Sequence, residues 1–236
     1  MGLIDNLVLR IKRRDTPTYD LLYRVGSGLF RAHVPDTPLV RAIARGLYAG
    51  QSLKANAMEQ VVSVMWSEPL FRSRCERVGK NLKVDVVPGV SGHTRIYVGD
   101  NVTFSGHISI RSGRFNDSPE LIIGNDVYIA GGCRFSVNER IEIGDHCKIA
   151  GGCFIVDSDG HPLDWERRAA HANLNEDEIK PVKIGEHVWV GRGATIMKGV
   201  TVGDRSVIGA GSVVIADVPP DSMAMGSPAR ILKLRT

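Results

Sequence analysis

Hydrophobic residues recur at every sixth position in the C-terminal part of the chain. From residue 184 onward these positions hold Ile184, Val190, Ile196, Val202, Ile208 and Val214. An amphipathic helix needs apolar residues about 3.6 positions apart, and a half-buried strand needs them at every second position. A period of six fits neither element alone. It predicts short strands joined at regularly repeated corners, where glycine tolerates a positive φ.

The same signature extends back towards the N-terminus. An aliphatic residue, a glycine, two polar residues and a small or aliphatic residue recur in six segments, which begin at Val78, Val98, Ile123, Ile143, Ile184 and Val202. Three six-residue steps make one three-sided coil of eighteen residues. The starts lie 20, 25, 20, 41 and 18 residues apart, so we interpret the residues beyond eighteen as insertions at corners. The only large insertion lies between Ile155 and Ile184.

Residues 78–236 resemble the hexapeptide-repeat acyltransferases. The most specific motifs of this resemblance are Trp189-Val190-Gly191-Arg192-Gly193-Ala194, Val207-Ile208-Gly209-Ala210-Gly211-Ser212 and Gly226-Ser227-Pro228-Ala229-Arg230. The resemblance implies an all-β fold, a left-handed parallel β-helix of about six coils, and a homotrimer with active sites between neighbouring subunits. We therefore expect a helical N-terminal extension over 1–75 and a β-helix domain over 76–236, with a catalytic loop at 156–183.

The first 75 residues lack the repeat and predict helices. Five apolar residues at helical spacing, beside four basic ones, predict a short amphipathic helix near the N-terminus: Leu3, Ile4, Leu7, Val8 and Ile11. Thr37 before Pro38 predicts the cap and first residue of a second helix, and a further helix is expected from Leu53 to Trp66. These helices pack on the β-helix or its trimer partners, or residues 1–14 contact an anionic membrane surface.

Composition and charge limit the class of protein, its expected partners and its expected compartment. Hydrophobic residues make up 43% and charged residues 24%, which are globular values. The net charge is +4, and residues 1–50 hold eight basic and four acidic residues, so the surplus belongs to this segment. A surplus of four gives no reason to expect nucleic acid. We expect a cytoplasmic protein, since neither an apolar run of about 20 residues nor a signal peptide is found; any membrane contact would be at the inner face.

The four cysteines form no CxxC pair, so the sequence predicts no zinc ribbon. Three of them occupy the small inward position of their repeats and are expected to be buried thiols: Cys133, Cys147 and Cys153. Zinc binding by three histidines, as in β-helix carbonic anhydrases, is disfavoured because the histidines are scattered along the sequence. Two of them, His146 and His187, occupy the same corner position and are expected to lie near each other. We predict no metal.

The large insertion carries a candidate catalytic base. Long polar excursions from a regular scaffold usually serve a function, and histidine is the natural general base near neutral pH. His161 stands between Gly160 and Pro162, with Arg168 seven residues later. This pattern resembles the loop of the galactoside and maltose O-acetyltransferase branch, in which the histidine is the catalytic base. The resemblance implies that His161 is catalytic and that Arg168 contacts the acceptor.

The resemblance also implies a donor site for acetyl-coenzyme A (acetyl-CoA), because the C-terminal coils bind coenzyme A in this family. The implied contacts are Trp189, Gly191, Arg192, Gly209, Ala210, Arg230 and Lys233. Of these, Arg230 and Lys233 match positions that meet the nucleotide phosphates, where a guanidinium forms charge-assisted bonds. The backbone N–H of Arg192 is the implied hydrogen-bond donor to the reaction's oxyanion.

The acceptor is less defined. Sugar O-acetyltransferases carry an asparagine about one coil before the catalytic histidine, whereas this chain has Ala130-Gly131-Gly132 there. The nearest polar candidates are Arg134, Ser136 and Asn138, and the sequence does not choose among them. We expect O-acetylation of a sugar for polysaccharide biosynthesis at the cell surface. The alternatives are N-acetylation of an amino sugar, acetylation of an antibiotic, and a β-helix scaffold without catalysis.

Overall fold

The computed structural model describes residues 3–31 and 36–233. Residues 1 and 2 of the expected membrane-contacting segment lie outside this part of the chain. The chain divides into two compact units, Met1–Ala55 and Asn56–Thr236. The last helix before the strands ends at Arg72 and the first strand begins at Arg77. The expected domain division at residue 75 stays a prediction.

The first unit and the start of the second are helical. The elements are α1 (Leu3–Arg13), α2 (Pro17–Arg31), α3 (Pro38–Val62), a π-helix (Ser63–Ser67) and α4 (Glu68–Arg72). The Thr37 hydroxyl accepts a hydrogen bond from the Val40 N–H at 3.3 Å, which confirms the predicted cap. In the part of the chain that the structure describes, no helix combines the length and apolar character needed to cross a bilayer.

The prediction of a separate helix from Leu53 to Trp66 was wrong. Helix α3 runs without interruption from Pro38 to Val62, and a π-helical turn then leads into α4. The sequence between Leu39 and Val62 contains no proline, so nothing in it removes a backbone donor. Its glycines at 46 and 50 have open space around them, and isolated glycines weaken a helix without ending it.

The remaining chain winds through three sheets of parallel strands. The first sheet contains β1 (Arg77–Val78), β4 (Arg95–Val98), β7 (Glu120–Ile123), β10 (Arg140–Ile143), β13 (Val182–Ile184) and β16 (Thr201–Val202). The second contains β2 (Lys83–Val84), β5 (Thr103–Phe104), β8 (Tyr128–Ile129), β11 (Lys148–Ile149), β14 (Trp189–Val190), β17 (Val207–Ile208), β19 (Ser222–Gly226) and β20 (Ala229–Lys233). The third contains β3 (Gly89–Ser91), β6 (Ser109–Ser112), β9 (Arg134–Val137), β12 (Phe154–Val156), β15 (Thr195–Ile196) and β18 (Val213–Val214).

From β1 to β15 each strand pairs in parallel with the strand three places later, and β17 pairs in parallel with β19, so each coil stacks on the next. Ile141 of β10, for example, lies opposite Leu121 of β7 and Val182 of β13, and all three are fully buried. Burial of each such aliphatic side chain contributes roughly 1.5–3 kcal/mol before entropy costs. The expected burial of Cys133, Cys147 and Cys153 is confirmed. At the last coil, β20 pairs antiparallel with β19.

Each of the three corners has its own chemistry. At the corner between the first and second sheets, seven non-glycine residues have positive φ: Asn81, Asn101, Asp126, His146, His187, Arg205 and Asp221. The rings of His146 and His187 stack there with centroids 4.6 Å apart, which confirms that they are neighbours. Glycines take the positive φ at the corner between the second and third sheets. The third corner, which leads back to the first sheet, carries the insertions.

Candidate active site

The insertions gather at the third corner and enclose a cavity of about 640 Å³. One wall comes from the seven-residue insertion between β6 and β7, where Arg114 and Phe115 lie. The other wall comes from the large loop between β12 and β13, which contributes His161, Arg168 and His171. A β-helix brings these segments together because equivalent corners of successive coils stack directly on each other.

His161 lies at the exposed edge of this cavity, in a turn that uses the positive φ of a glycine before it and is restricted by a proline after it. Gly160 has a φ of +75°, and Pro162 is buried. Pro162 also fixes its own φ near −65° and limits the conformations of the preceding residue. The imidazole therefore stands on a preorganised turn beside an open space.

The neck of the loop is closed by backbone pairing. Ser158 forms an antiparallel bridge with Ile179, and the Asp159 N–H donates to the Glu178 carbonyl at 3.0 Å. Lys198 strengthens this closure, because its Nζ lies 2.5 Å from Asp159 Oδ2 and 2.9 Å from the Asp177 carbonyl. These contacts tie both ends of the loop to the coil beneath it.

Asp157 fixes the first residue of the loop to the preceding coil. Its carboxylate is fully buried and accepts hydrogen bonds from the backbone N–H groups of Asn138 and Glu139 at 2.7 Å each. Burial raises the pKa of Asp157 above its usual value, against the opposing effect of these donors. Burial, and secondarily the nearby Asp157 charge, also raises the pKa of Glu139.

Arg167 and Glu178 hold the body of the loop together. The short helix α5 (Trp165–Ala169) begins at Asp164, whose side chain accepts the Arg167 N–H at 2.8 Å. The Arg167 guanidinium binds both carboxylate oxygens of Glu178 at 3.0 Å, and Glu178 also accepts the backbone N–H of Asn175 at 2.7 Å. The Asn175 N–H and the Arg167 guanidinium lower the pKa of Glu178. The loop is therefore a folded unit with its own polar core.

Arg168 lines the cavity and supports the turn that carries His161. Its Nη1 donates to the carbonyls of Pro162 and Leu163 at 2.8 and 2.9 Å. The guanidinium thus fixes the backbone directly after His161. Its expected contact with the acceptor stays a prediction, and its other guanidinium N–H groups have no acceptor among the described residues.

The other expected acceptor residues do not line the His161 cavity. Arg134 and Ser136 stand on the outer face of the third sheet and line a separate cavity of about 510 Å³. Asn138 is only 4% exposed, and its side chain is engaged within the protein: it accepts the Gly113 N–H at 3.2 Å and donates to Ser158 Oγ at 2.7 Å. Its position connects the two walls of the His161 cavity and leaves little access for a ligand.

The expected donor residues lie on the second sheet and at the corner that follows it. Trp189 is an exposed residue of β14, and the next corner holds Gly191 and Arg192. Gly209 and Ala210 occupy the same corner one coil later. The exposed side chains of Arg230 and Lys233 project from β20. Within one chain, none of these residues lines the His161 cavity.

Four residues that line the cavity were not predicted from the sequence. Arg114 and Phe115 were not assigned to the site, and His93 and His171 counted only among the scattered histidines. A signal was present, since the insertions of seven and 23 residues both follow the third six-residue step of their coils and therefore fall at the same corner. Among the described residues, no group of three or more histidine, cysteine or acidic side chains is arranged to hold a metal ion.

Comparison with known proteins identifies similar chains. The family "Bacterial transferase hexapeptide (six repeats)" matches residues 181–216. Galactoside O-acetyltransferase of Escherichia coli is 31% identical over 166 residues, which cover 70% of this chain and 67% of that protein. A candidate acetyltransferase of Saccharomyces cerevisiae, YJL218W, is 38% identical over 140 residues, which cover 59% of this chain and 56% of that protein. The chain thus spans little more than half of the yeast relative.

A solved structure shows the same fold. AntD, an N-acyltransferase from Bacillus cereus in complex with dTDP and 3-hydroxybutyryl-CoA, matches with a TM-score of 0.57 and 21% identity, over 72% of this chain and 88% of that chain. Together with the three parallel sheets, the comparisons identify the coil as a left-handed β-helix, so the predicted fold class is confirmed.

Proposed function

This chain belongs to the hexapeptide-repeat acyltransferases, and we propose that it transfers an acetyl group from acetyl-CoA to a hydroxyl group of a sugar. The observation that carries the proposal is the position of His161, on a tightly anchored turn at the edge of the cavity formed by the corner insertions. The similarity to galactoside O-acetyltransferase favours a sugar hydroxyl as the acceptor group.

In the proposed reaction His161 acts as the general base. Its neutral imidazole takes the proton of the acceptor hydroxyl while the oxygen attacks the thioester carbonyl carbon. The carbon–sulfur bond then breaks, and the coenzyme A thiolate takes the proton from the imidazolium. Such base catalysis contributes about 10²–10⁴-fold in rate. Positioning of the two substrates supplies much of the remainder.

The developing oxyanion needs a hydrogen-bond donor that is already in place. We propose the backbone N–H of Arg192, which has no hydrogen-bond acceptor among the described residues. The backbones of two successive coils approach closely at this corner, because a Cβ added at Gly191 would come within 2.6 Å of the Ala210 nitrogen. Small residues there allow the donor's pantetheine arm to approach the backbone, and Arg230 and Lys233 would bind the nucleotide phosphates.

We propose that the complete active site forms between subunits of a homotrimer. In a single chain the expected donor residues line a different surface from the His161 cavity. A neighbouring copy that supplies the donor surface would bring the thioester to the imidazole.

The acceptor would belong to a surface polysaccharide under construction. Helix α1 would contact an anionic membrane surface through its exposed Arg10, Lys12 and Arg13. Deletion of residues 1–14 should then reduce sedimentation with anionic vesicles, and equal sedimentation would reject the membrane contact.

Thiol release from acetyl-CoA, measured across sugars, nucleotide-linked amino sugars and antibiotics, tests the reaction. We expect release with a sugar that lacks a free amine, and a loss of at least about 100-fold in kcat in His161→Ala. His187→Gln, at the corner between the first and second sheets, is the matched control and should keep the rate. Full turnover by His161→Ala would reject the base assignment, and release only with amine acceptors would assign the chain to N-acetylation.

A further inference from the structure

Among the described residues, the side chains that give the His161 cavity its charge are arginines and histidines, and no carboxylate lines it. The lining includes the guanidinium groups of Arg114 and Arg168 and the imidazoles of His93, His161 and His171. Acidic residues of the same corner line a separate cavity, where Asp117, Glu139 and Glu176 lie. The corner thus divides its positive and negative groups between two neighbouring spaces.

The two arginines of the cavity are not neutralised by the protein. Among the described residues, neither Arg114 nor Arg168 lies within 4.0 Å of a carboxylate oxygen. Arg114 donates to the His171 carbonyl at 2.9 Å, and Arg168 donates to two loop carbonyls. These bonds orient the guanidinium groups and leave their charge uncompensated, with further N–H donors free.

Several other arginines of the β-helix are paired with carboxylates. On the first sheet, Arg95 lies 3.8 Å from Glu120, and Arg140 lies 3.0 Å from Glu142. Within the loop itself, Arg167 is paired with Glu178, although the adjacent Arg168 is not. Arg114 and Arg168 therefore differ from these paired arginines, although other arginines of the β-helix, such as Arg77 and Arg192, also have no carboxylate oxygen within 4.0 Å among the described residues.

The same property continues onto the neighbouring face of the third sheet. The cavity of about 510 Å³ there is lined by Arg111, Arg134 and His107, again with no carboxylate. Arg111 directly precedes Ser112, which lines the His161 cavity. A ligand at His161 would therefore enter a positive field from two sides, which attracts anions and orients them.

We propose that the acceptor carries an anionic group, a phosphate or a carboxylate, close to the hydroxyl that is acetylated, and that Arg114 and Arg168 bind it. This inference rests on the proposed function for the reaction but concerns the binding of the acceptor alone. A guanidinium presents parallel N–H donors that match both anionic groups. A neutral sugar would leave two guanidinium charges without a partner beside the reacting group.

Calorimetric binding to the full chain, without acetyl-CoA and at low ionic strength, tests this inference. The probes are glucose, glucose 6-phosphate and glucuronic acid, which share a ring and differ in charge. We expect at least one anionic probe to bind with a Kd at least about tenfold below that of glucose. The two anionic arms distinguish phosphate from carboxylate recognition. Equal binding of all three, or binding of none, would overturn the inference.

Variants separate the proposed contact from general charge effects. Arg114→Gln should remove at least about fivefold of the anion preference, and Arg114→Lys should retain part of it. Arg95→Gln, an exposed first-sheet arginine, should keep the preference, and its loss there would overturn the inference. His161-dependent transfer to neutral sugars without anion preference rejects this inference and keeps the proposed function. Anion-selective binding without transfer to any acceptor supports this inference and rejects the proposed function.

Discussion

Asp157 and Asn138 are joined by three contacts between adjacent coils. The backbone N–H of Asn138 lies 2.7 and 2.9 Å from the two carboxylate oxygens of Asp157, and its side-chain nitrogen lies 3.3 Å from one of them. Asn138 also accepts the N–H of Gly113. This pair therefore links the loop that carries His161 to the wall that carries Arg114, so both sides of the cavity depend on it.

Removal of the Asp157 carboxylate should destabilise the protein. Asp157→Ala leaves the N–H groups of the buried Asn138 and the half-buried Glu139 without acceptors, which costs about 1–3 kcal/mol for a fully buried group and less for a half-buried one. We expect a corresponding loss in the free energy of unfolding, measured by urea denaturation, and a smaller loss in Asp157→Asn. Asp117→Ala, an exposed acid of the same corner, is the control. A difference between the two alanine variants below about 0.5 kcal/mol would contradict the prediction.

The raised pKa of Asp157 predicts a pH dependence with a definite sign. Burial raises the folded-state pKa of Asp157 above its unfolded value of 3.8. At a pH between 3.8 and the folded-state pKa, the folded protein therefore holds a proton that the unfolded chain has lost. The stability of the wild type relative to Asp157→Asn should therefore fall as the pH rises from 3.8 through the folded-state pKa, and then level off. Urea denaturation of both proteins over this range measures the difference. A constant or rising difference would show that burial does not dominate.

Glu178 predicts the opposite dependence for the loop. Its pKa is lowered by the Asn175 N–H and by Arg167, so its contribution is complete above about pH 4.5 and is lost as the pH falls through the folded-state pKa. Hydrogen exchange at the Leu163 and Asn175 amides, which donate to Glu178, should accelerate on acidification once the intrinsic rates are corrected. Glu178→Gln should remove this dependence. Glu166→Gln, an exposed acid of the same loop, should retain it.

Stacking of the coils makes certain glycines irreplaceable. A Cβ at Gly144 would lie 2.7 Å from both the carbonyl carbon and the oxygen of Gly185, in a backbone held by ladder hydrogen bonds. Gly144→Ala should therefore cost at least about 1–3 kcal/mol in thermal unfolding. Gly46→Ala is the matched control, because a Cβ at this exposed position in α3 would meet no described atom outside the backbone of its own helix within 4 Å. It should stabilise its helix by about 0.5–1 kcal/mol.

Periodicity predicted the scaffold because each six-residue step reports directly on burial. The positions of Ile184, Val190 and Ile196 follow from the rule that one aliphatic side chain per step faces inward, and all three are fully buried. The period also showed where the coil is interrupted, which located His161. The six-residue period could not predict that helix α3 is continuous, because this helix lies outside the repeat. Only the absence of a strong helix breaker decides its continuity.

Contacts inside the insertions could not be predicted, because they depend on tertiary packing. Asn138 was expected at the acceptor and is instead buried between two insertions, since its amide satisfies backbone and side-chain groups of both. The expected contact of Arg168 with the acceptor stays a prediction, and the bonds of Arg168 to carbonyls of its own loop were not predicted. Neither partner is implied by spacing along the sequence. The two corner insertions become neighbours only when the coils are counted and superimposed.

Every long insertion lies at one corner of the coil, so the length of the chain varies there and not at the two other corners. The two other corners keep a step of six residues in coil after coil. The third corner accepts seven or 23 extra residues, and the strands on either side stay in register, as the continuous ladders from β4 to β7 and from β10 to β13 show. A new specificity could therefore be acquired by exchange of loops along one edge, while the scaffold that positions them stays unaltered.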